Sequence, residues 1–339
     1  MTARTKPERR ARTLRRSLVI TFAAVSLLSV LLLGVLNYIQ ARELLTDSVS
    51  DRLVNQQAAK ALAIRNGVDR LEQQVVVTAQ TSQIVESVSA FSEVYDGLVG
   101  PDLLDAEQAA ELETFYQTTV DAIGEFGLES IAPESLEPGS ETGRYLQYHY
   151  IAANGDDPRS DLVSAPGDNS DYGAVHAELH PALLALRTQL AFGDLLLVDT
   201  DGNIVYSTNK RLDFATNART GPYRNSGMGE AVSTRIAATP VGDAVFVDFE
   251  LYLPAGGKPS LFVAAAIRDE ARTVGALLVE IPIDGLNNLT VGAGEWEESG
   301  FGETGEVYVV GRDNLMRTDS RLWIEDPQTY LSWLEKERY

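Results

Sequence analysis

The sequence has no cysteine. That excludes disulfides, thiol nucleophiles, iron–sulfur clusters and cysteine-ligated zinc together, and leaves the redox compartment undecided. Histidine is also scarce, with three residues, and no HExxH pattern occurs. Basic residues are in deficit, 28 against 49 acids for a net charge of −21. A surface of that sign does not offer the basic footprint that nucleic acid requires. Proline is missing between Pro7 and Pro101, so nothing there forces a helix to stop. What is present is 339 residues, 44% of them hydrophobic, enough for about two domains with real cores.

The charge is unevenly placed. Residues 1–16 hold Arg4, Lys6, Arg9, Arg10, Arg12, Arg15 and Arg16 against Glu8. The arm's balance of +6 leaves −27 on the remainder. Directly after it, Ser17 to Ile39 carries no charge over 23 residues. As a helix this stretch is about 34 Å long, against a hydrocarbon core of about 30 Å. A membrane span fits, and the basic flank orients it with the arm in the cytoplasm and the rest outside. Two other readings compete. A cleaved signal peptide has a shorter apolar stretch and a small-residue cleavage site, for which Ile39-Gln40-Ala41 is a poor match. Arg15-Arg16 also has the form of a twin-arginine export signal.

From 40 to 91, apolar residues recur at Leu45, Val49, Leu53, Ile64, Val68, Leu71, Val75 and Ile84. These spacings predict a long helix with one apolar stripe, a stalk suited to forming a homodimer seam. Further helices are expected at Asp102–Phe126 and over 172–191. Two loops rich in Pro, Gly and Ser, at 129–143 and 154–171, flank an aromatic patch of Tyr145, Tyr148, His149 and Tyr150.

After Gly193 the pattern changes to strand. Asp194 to Ser207 is a hairpin with its turn at Asp201-Gly202. Ala244–Leu253, Ser260–Ile267 and Val274–Ile283 add three antiparallel strands, for a five-stranded sheet flanked by helices. Val245, Val247, Phe249 and Leu251 predict one apolar face, opposite a mixed face of Phe246, Asp248, Glu250 and Tyr252 that would line a polar space. The run from Gly193 repeats at Gly305 with an offset of 112, Asp201 matching Asp313. A second sheet domain beginning near residue 291 is therefore expected, with too few residues after it to be completed.

Several motifs point to chemistry only in form. Gly300-Phe-Gly-Glu-Thr-Gly305 is a GxGxxG, but it precedes a strand pattern rather than a helix, so a dinucleotide site is not expected. Asp199, Asp201 and Asn203 imitate a calcium loop whose twelfth position is Lys210; a hairpin turn is expected instead. His176 and His180 share a helix face and can hold a metal, yet packed histidines are the better reading. Asn288-Leu-Thr290 has the form of a glycosylation sequon. No cofactor or metal is expected.

Tyr145-Leu-Gln-Tyr-His-Tyr-Ile-Ala-Ala-Asn154, Tyr172-Gly-Ala-Val-His-Ala-Glu-Leu-His-Pro181, Asp194–Ser207, Val245-Phe-Val-Asp-Phe249 and Gly302-Glu-Thr-Gly-Glu-Val-Tyr-Val-Val-Gly-Arg-Asp-Asn-Leu-Met-Arg-Thr-Asp-Ser-Arg321 together resemble the extracytoplasmic double Cache, PAS-like sensor region of bacterial membrane receptors. The resemblance covers roughly residues 40–339. It implies an α+β chain: cytoplasmic arm 1–16, transmembrane helix 17–39, stalk 40–91, membrane-distal Cache domain 92–290 and an incomplete membrane-proximal one over 291–339. Such regions precede adenylate/guanylate cyclase, histidine kinase or chemoreceptor modules, so this chain is expected to be no enzyme, and the resemblance leaves open whether a longer parent is one, as a nucleotide cyclase or a histidine kinase would be. The Arg-x-Trp-Tyr run of amino-acid-binding relatives is absent. Residues able to line a ligand pocket are Tyr145, Tyr148, Tyr150, Tyr172, Tyr206, Lys210, Asp213, Tyr223 and Asp248. Lys210 suits a carboxylate, and Asp213 or Asp248 an amine. The expected partners are a small molecule (amino acid, amine or carboxylate), a membrane and a second copy, with no nucleic acid. The competing reading is an anchored extracytoplasmic binding or assembly protein without signalling output.

Overall fold

A computed structural model describes residues 7–125, 131–155, 158–283, 287 and 305–336. The chain divides into two compact units, Met1–Leu62 and Ala63–Tyr339.

The first unit consists of most of helix α1 (Pro7–Ala79). One stretch of α1 is long and apolar enough to cross a membrane. Its apolar side chains point outward on every side, Phe22, Leu28 and Leu32 among them. A helix apolar all round is stable only where something apolar surrounds it. Leu45, Val49 and Leu53, further along, are exposed as well.

The second unit begins with the last turns of α1, whose Val75 and Ala79 are fully buried. The expected continuous helix to residue 91 is interrupted. Helix α1 stops at Ala79 and α2 runs Ser82–Gly97. Thr81 causes the break: it adopts an extended backbone and its hydroxyl accepts from Ile84 N at the start of α2, as an N-cap does. The Gln80 side chain donates to Ala266 O at 2.8 Å, tying the corner to the sheet. Helix α3 (Ala106–Glu125) starts later than its apolar pattern suggests. Asp105 accepts from the backbone of Glu107 and Gln108, while Gln108 Oε1 accepts from Asp105 N, a reciprocal capping box. Helix α4 (Glu141–Gln147) passes into one π-helical turn, Tyr148–Ala152. Helix α5 (Asp171–Gln189) is capped by Ser170.

The sheet has the five expected antiparallel strands: β1 (Asp194–Val198), β2 (Ile204–Ser207), β3 (Val245–Tyr252), β4 (Lys258–Asp269) and β5 (Arg272–Ile281), in spatial order β2-β1-β5-β4-β3. Gly202 takes φ +93° in the β1–β2 turn. Asp199 gives its carboxylate oxygens to Asp201 N, Asn203 N and the Asn203 amide, so the acidic run is a turn that satisfies itself.

Both faces of the sheet are buried. On one, Leu195, Leu197, Val205, Val263 and Val279 pack with Val88 and Phe91 of α2 and Leu183 of α5. On the other, Leu196, Val198, Ile204, Phe262 and Leu278 pack with Leu112 and Tyr116 of α3 and with Met228 and Val232. The second face therefore carries its own apolar core, and the polar space that alternation along β3 suggested is confined to a cavity at Glu250 and Tyr252. The alternation itself fails at a bulge between Val247 and Glu250. The extra residue moves later side chains to the opposite face: Leu251 is exposed and Tyr252 buried, the reverse of expectation.

Residues 305–320 form an irregular hairpin with a single bridge, Val310 to Met316, where a strand like β1 was expected. Arg317 anchors it through a two-pronged contact with Asp248 (3.0 and 2.9 Å) and a bond to Asp313. Helices α8 (Arg321–Glu325) and α9 (Pro327–Lys336) follow, after the short α6 (Gly227–Glu230) and α7 (Ile236–Ala238) earlier in the chain. The sequon, residues 300–304 of the GxGxxG run and the expected domain boundary near 291 lie outside the described residues.

Phe91 joins α2 to the rings of Tyr206 (4.8 Å) and Tyr172 (5.5 Å) and is fully buried. Phe91→Ala should cost about 3–5 kcal/mol, read as a loss of unfolding free energy by near-ultraviolet circular dichroism.

Candidate functional site

The site is built on the loop that leaves β2. Its first turn is pinned by Asp194, a buried carboxylate that accepts from Leu195 N, Ser207 Oγ, Thr208 Oγ1 and Asn209 N. Arg211 is held by Glu280 at 2.7 Å. Beyond it, the buried amide of Gln147, at the end of α4, donates to Leu212 O (2.9 Å) and Phe214 O (2.8 Å) and accepts from the Tyr116 hydroxyl (2.7 Å). The backbone is thus fixed on both sides of Asp213.

The Asp213 side chain is 1% exposed. Its Oδ2 accepts from the Tyr252 hydroxyl at 2.7 Å, and its Oδ1 has no partner. Burial, reinforced by the nearby Asp194 charge, pushes this carboxyl up to about 7. Tyr223 is also buried and its hydroxyl has no partner. The Tyr223 and Tyr252 rings stand 6.1 Å apart, and both line a cavity of about 360 Å³ with Ile131, Leu136, Pro222, Asn225, Ser226 and Glu250. Glu250 Oε1 accepts from Gly227 N. A lone buried carboxylate oxygen, an unpaired phenol and aromatic walls can receive a small molecule with a hydrogen-bond-donating head.

Of the nine residues expected to line a pocket, the structure brings together Asp213 and Tyr223. Tyr172, Tyr206 and Lys210 sit in a second cluster, which includes His176 and His180. The Tyr206 hydroxyl is 2.7 Å from His180 Nδ1, whose Nε2 meets Ser160 O at 2.7 Å. Nε2 therefore carries the proton and Nδ1 accepts from the phenol. His176 stacks on His180 at 4.6 Å, and its Nδ1 donates to Val163 O. Burial first, then the Lys210 charge, lowers His176 to about 2 and His180 to about 4. Tyr172 donates to Val205 O. Tyr145 and Tyr150 both donate to Asp168. Tyr148 faces outward to Glu111. Asp248 is exposed and occupied by Arg317.

Three residues outside the nine nominated for the pocket shape the region. Gln147 holds the Asp213 backbone. Asp168 gathers Tyr145, Tyr150 and Ser170. Tyr252 donates to Asp213. The N-cap pattern Asp168-Asn-Ser170 was visible in the sequence; the other two contacts span 65 and 39 residues and left no local signal.

Lys210 is fully buried at φ +50°. Its ammonium has one hydrogen bond, to Thr208 O at 3.4 Å, and lies 5.9 Å from the Tyr206 ring. Burial lowers it to about 7, opposed by Asp194. An unfolded lysine keeps its proton to near 10.4. Between those values the unfolded state binds the extra proton, so the Lys210 contribution makes stability rise with pH from about 7 to about 10. Below about 7 the buried charge is present in full. Lys210→Met should therefore be more stable than wild type at pH 6, by about 4–5 kcal/mol, and the advantage should shrink toward pH 10. A pH series of thermal unfolding, followed by circular dichroism, measures both.

No family model matches the chain, and no curated protein does. Among solved structures, it is similar to the sensor domain of the V. cholerae histidine kinase DctB, with 15% identity over 54% of this chain and 60% of that domain (TM-score 0.27). It is also similar to the ligand-binding domain of the Pseudomonas fluorescens chemoreceptor CtaA in complex with L-serine, with 14% identity over 65% and 74% (TM-score 0.27). A third is the sensory domain of the Campylobacter jejuni chemoreceptor Tlp3 with isoleucine bound, with 13% identity over 68% and 84% (TM-score 0.32).

Proposed function

We propose that this chain is the extracytoplasmic ligand-sensing region of a membrane-anchored signal-transduction receptor, with a small molecule taken up at the Asp213 pocket. The observation that carries the reading is the pair of unpartnered buried atoms, the hydroxyl of Tyr223, which lines the cavity, and Asp213 Oδ1, behind the wall that Tyr252 forms. Each such group costs about 1–3 kcal/mol in an otherwise satisfied interior. A ligand that supplies the missing partners recovers that cost on binding.

The anchor is the uncharged stretch 17–39 of α1, with the basic arm inside the cell and the acidic unit outside. Helix α1 continues from that stretch to Ala79, where its end is buried under the sheet. A ligand that binds one arrangement of the sensor better than another shifts the balance between them, and α1 carries the shift. Leu45, Val49 and Leu53, exposed at four-residue spacing, form the seam with a second copy. The output, an adenylate/guanylate cyclase or histidine kinase, belongs to a longer parent.

The test is thermal unfolding of the full chain in detergent micelles against separate panels of amines, amino acids and carboxylates. At least one compound should stabilise wild type, by about 2.7 kcal/mol at one hundred times its Kd. Asp213→Asn should keep the wild-type circular dichroism and bind that compound at least tenfold more weakly. A folded wild type stabilised by no compound, or stabilisation unchanged in Asp213→Asn, overturns the assignment.

A further inference from the structure

The pocket also has a sign. Asp213 lies behind its wall and Glu250 lines it, while no lysine or arginine is among its described lining residues. Guanidinium groups around this part of the fold have partners of their own: Arg224, between the lining residues Tyr223 and Asn225, donates to Gly221 O at 3.1 Å, Arg211 is held by Glu280 at 2.7 Å, and Arg144 by Glu113 and Glu137 at 3.0 and 2.9 Å. Lys210 shares the loop with Asp213, but its ammonium reaches the backbone of Thr208 and the Tyr206 ring, whereas the Asp213 carboxylate is bonded to Tyr252, which lines the cavity. A carboxylate entering the cavity would meet two acids and, among the described lining residues, no cation, with the Tyr223 hydroxyl as a lone donor against the loss of its water.

The walls complement the opposite charge. Tyr223 and Tyr252 present aromatic surface. Aromatic faces beside a carboxylate attract an ammonium group through both the ring quadrupole and the ion pair. Asp213 Oδ1 is then a free acceptor for an N–H donor, and the Tyr223 hydroxyl oxygen can accept from a second.

The geometry points to a small organic amine that carries no carboxylate as the ligand, its ammonium between Asp213 and the Tyr223–Tyr252 walls. This rests on the sensor reading above and narrows it, since it separates amines from the amino acids that share their side chains. Binding such a cation also neutralises a buried carboxyl that is otherwise half-protonated near pH 7, so uptake should release protons in that range.

Matched pairs that differ only by the carboxylate provide the experiment: tyramine and tyrosine, histamine and histidine, phenethylamine and phenylalanine, putrescine and ornithine. Each is titrated into the full chain in detergent micelles by calorimetry. At least one amine should bind, at least thirtyfold more tightly than its partner amino acid, and its apparent enthalpy at pH 7 should vary with the ionisation enthalpy of the buffer. Asn225→Arg, which places a cation on the cavity wall, should narrow that ratio at least fivefold. An amino acid that binds as tightly as its amine, and loses binding in Asp213→Asn, overturns the amine assignment and leaves the sensor reading standing. No binding by any of the eight probes also overturns the amine assignment, while a carboxylate that binds in the broader panel keeps the pocket itself as the site. Binding of an amine that Asp213→Asn leaves unchanged overturns both.

Discussion

The structure depends on keeping a carboxyl out of water. Asp213 is free to move toward solvent only if its backbone can, and Gln147 removes that freedom by bonding the carbonyls on either side of it. Asp194 and Glu280 hold the preceding residues in the same way. Lys210 and Ala215 take positive φ values at the two ends of the segment, a conformation that side-chain-bearing residues adopt only when their surroundings compel it. The loop is therefore rigid where a binding group must be rigid, and the desolvation of Asp213 is imposed by hydrogen bonds made elsewhere.

The same loop connects the two faces of the sheet. Asp213 and its tyrosines stand with the core formed by α3 and the residues around Met228, whereas Phe214 packs with Tyr150 and Tyr172 in the core of α2 and α5. Asp213 is thus one residue away from the core that buries the end of α1. That adjacency gives the proposed signal a short physical route, through packed rings that have little room to deform separately.

Much of this was legible in the sequence, for identifiable reasons. The uncharged run 17–39, the Asp201-Gly202 turn and the strands from 244 onward are local patterns, and local patterns survive in one dimension. The break at Thr81 was hidden because Ile84, Val88 and Phe91 continue the helical spacing across it. The bulge in β3 was hidden because no glycine marks it, and it reversed the exposure of Leu251 and Tyr252. Within the site, Asp213 and Tyr223 could be nominated by type alone. That Tyr150, Tyr172 and Tyr206 are core rings, and that Lys210 is buried in the second cluster, follows from contacts far apart in sequence. So do the roles of Gln147 and Tyr252.

The most direct test is the ionisation of Asp213 itself, followed by carbon-13 NMR of its side-chain carboxyl in free and amine-bound protein. The account predicts a midpoint near pH 7 in the free protein and a clear fall once a cation occupies the pocket. A midpoint near 4 in the free protein, or one near 7 that a bound amine leaves in place, would contradict it.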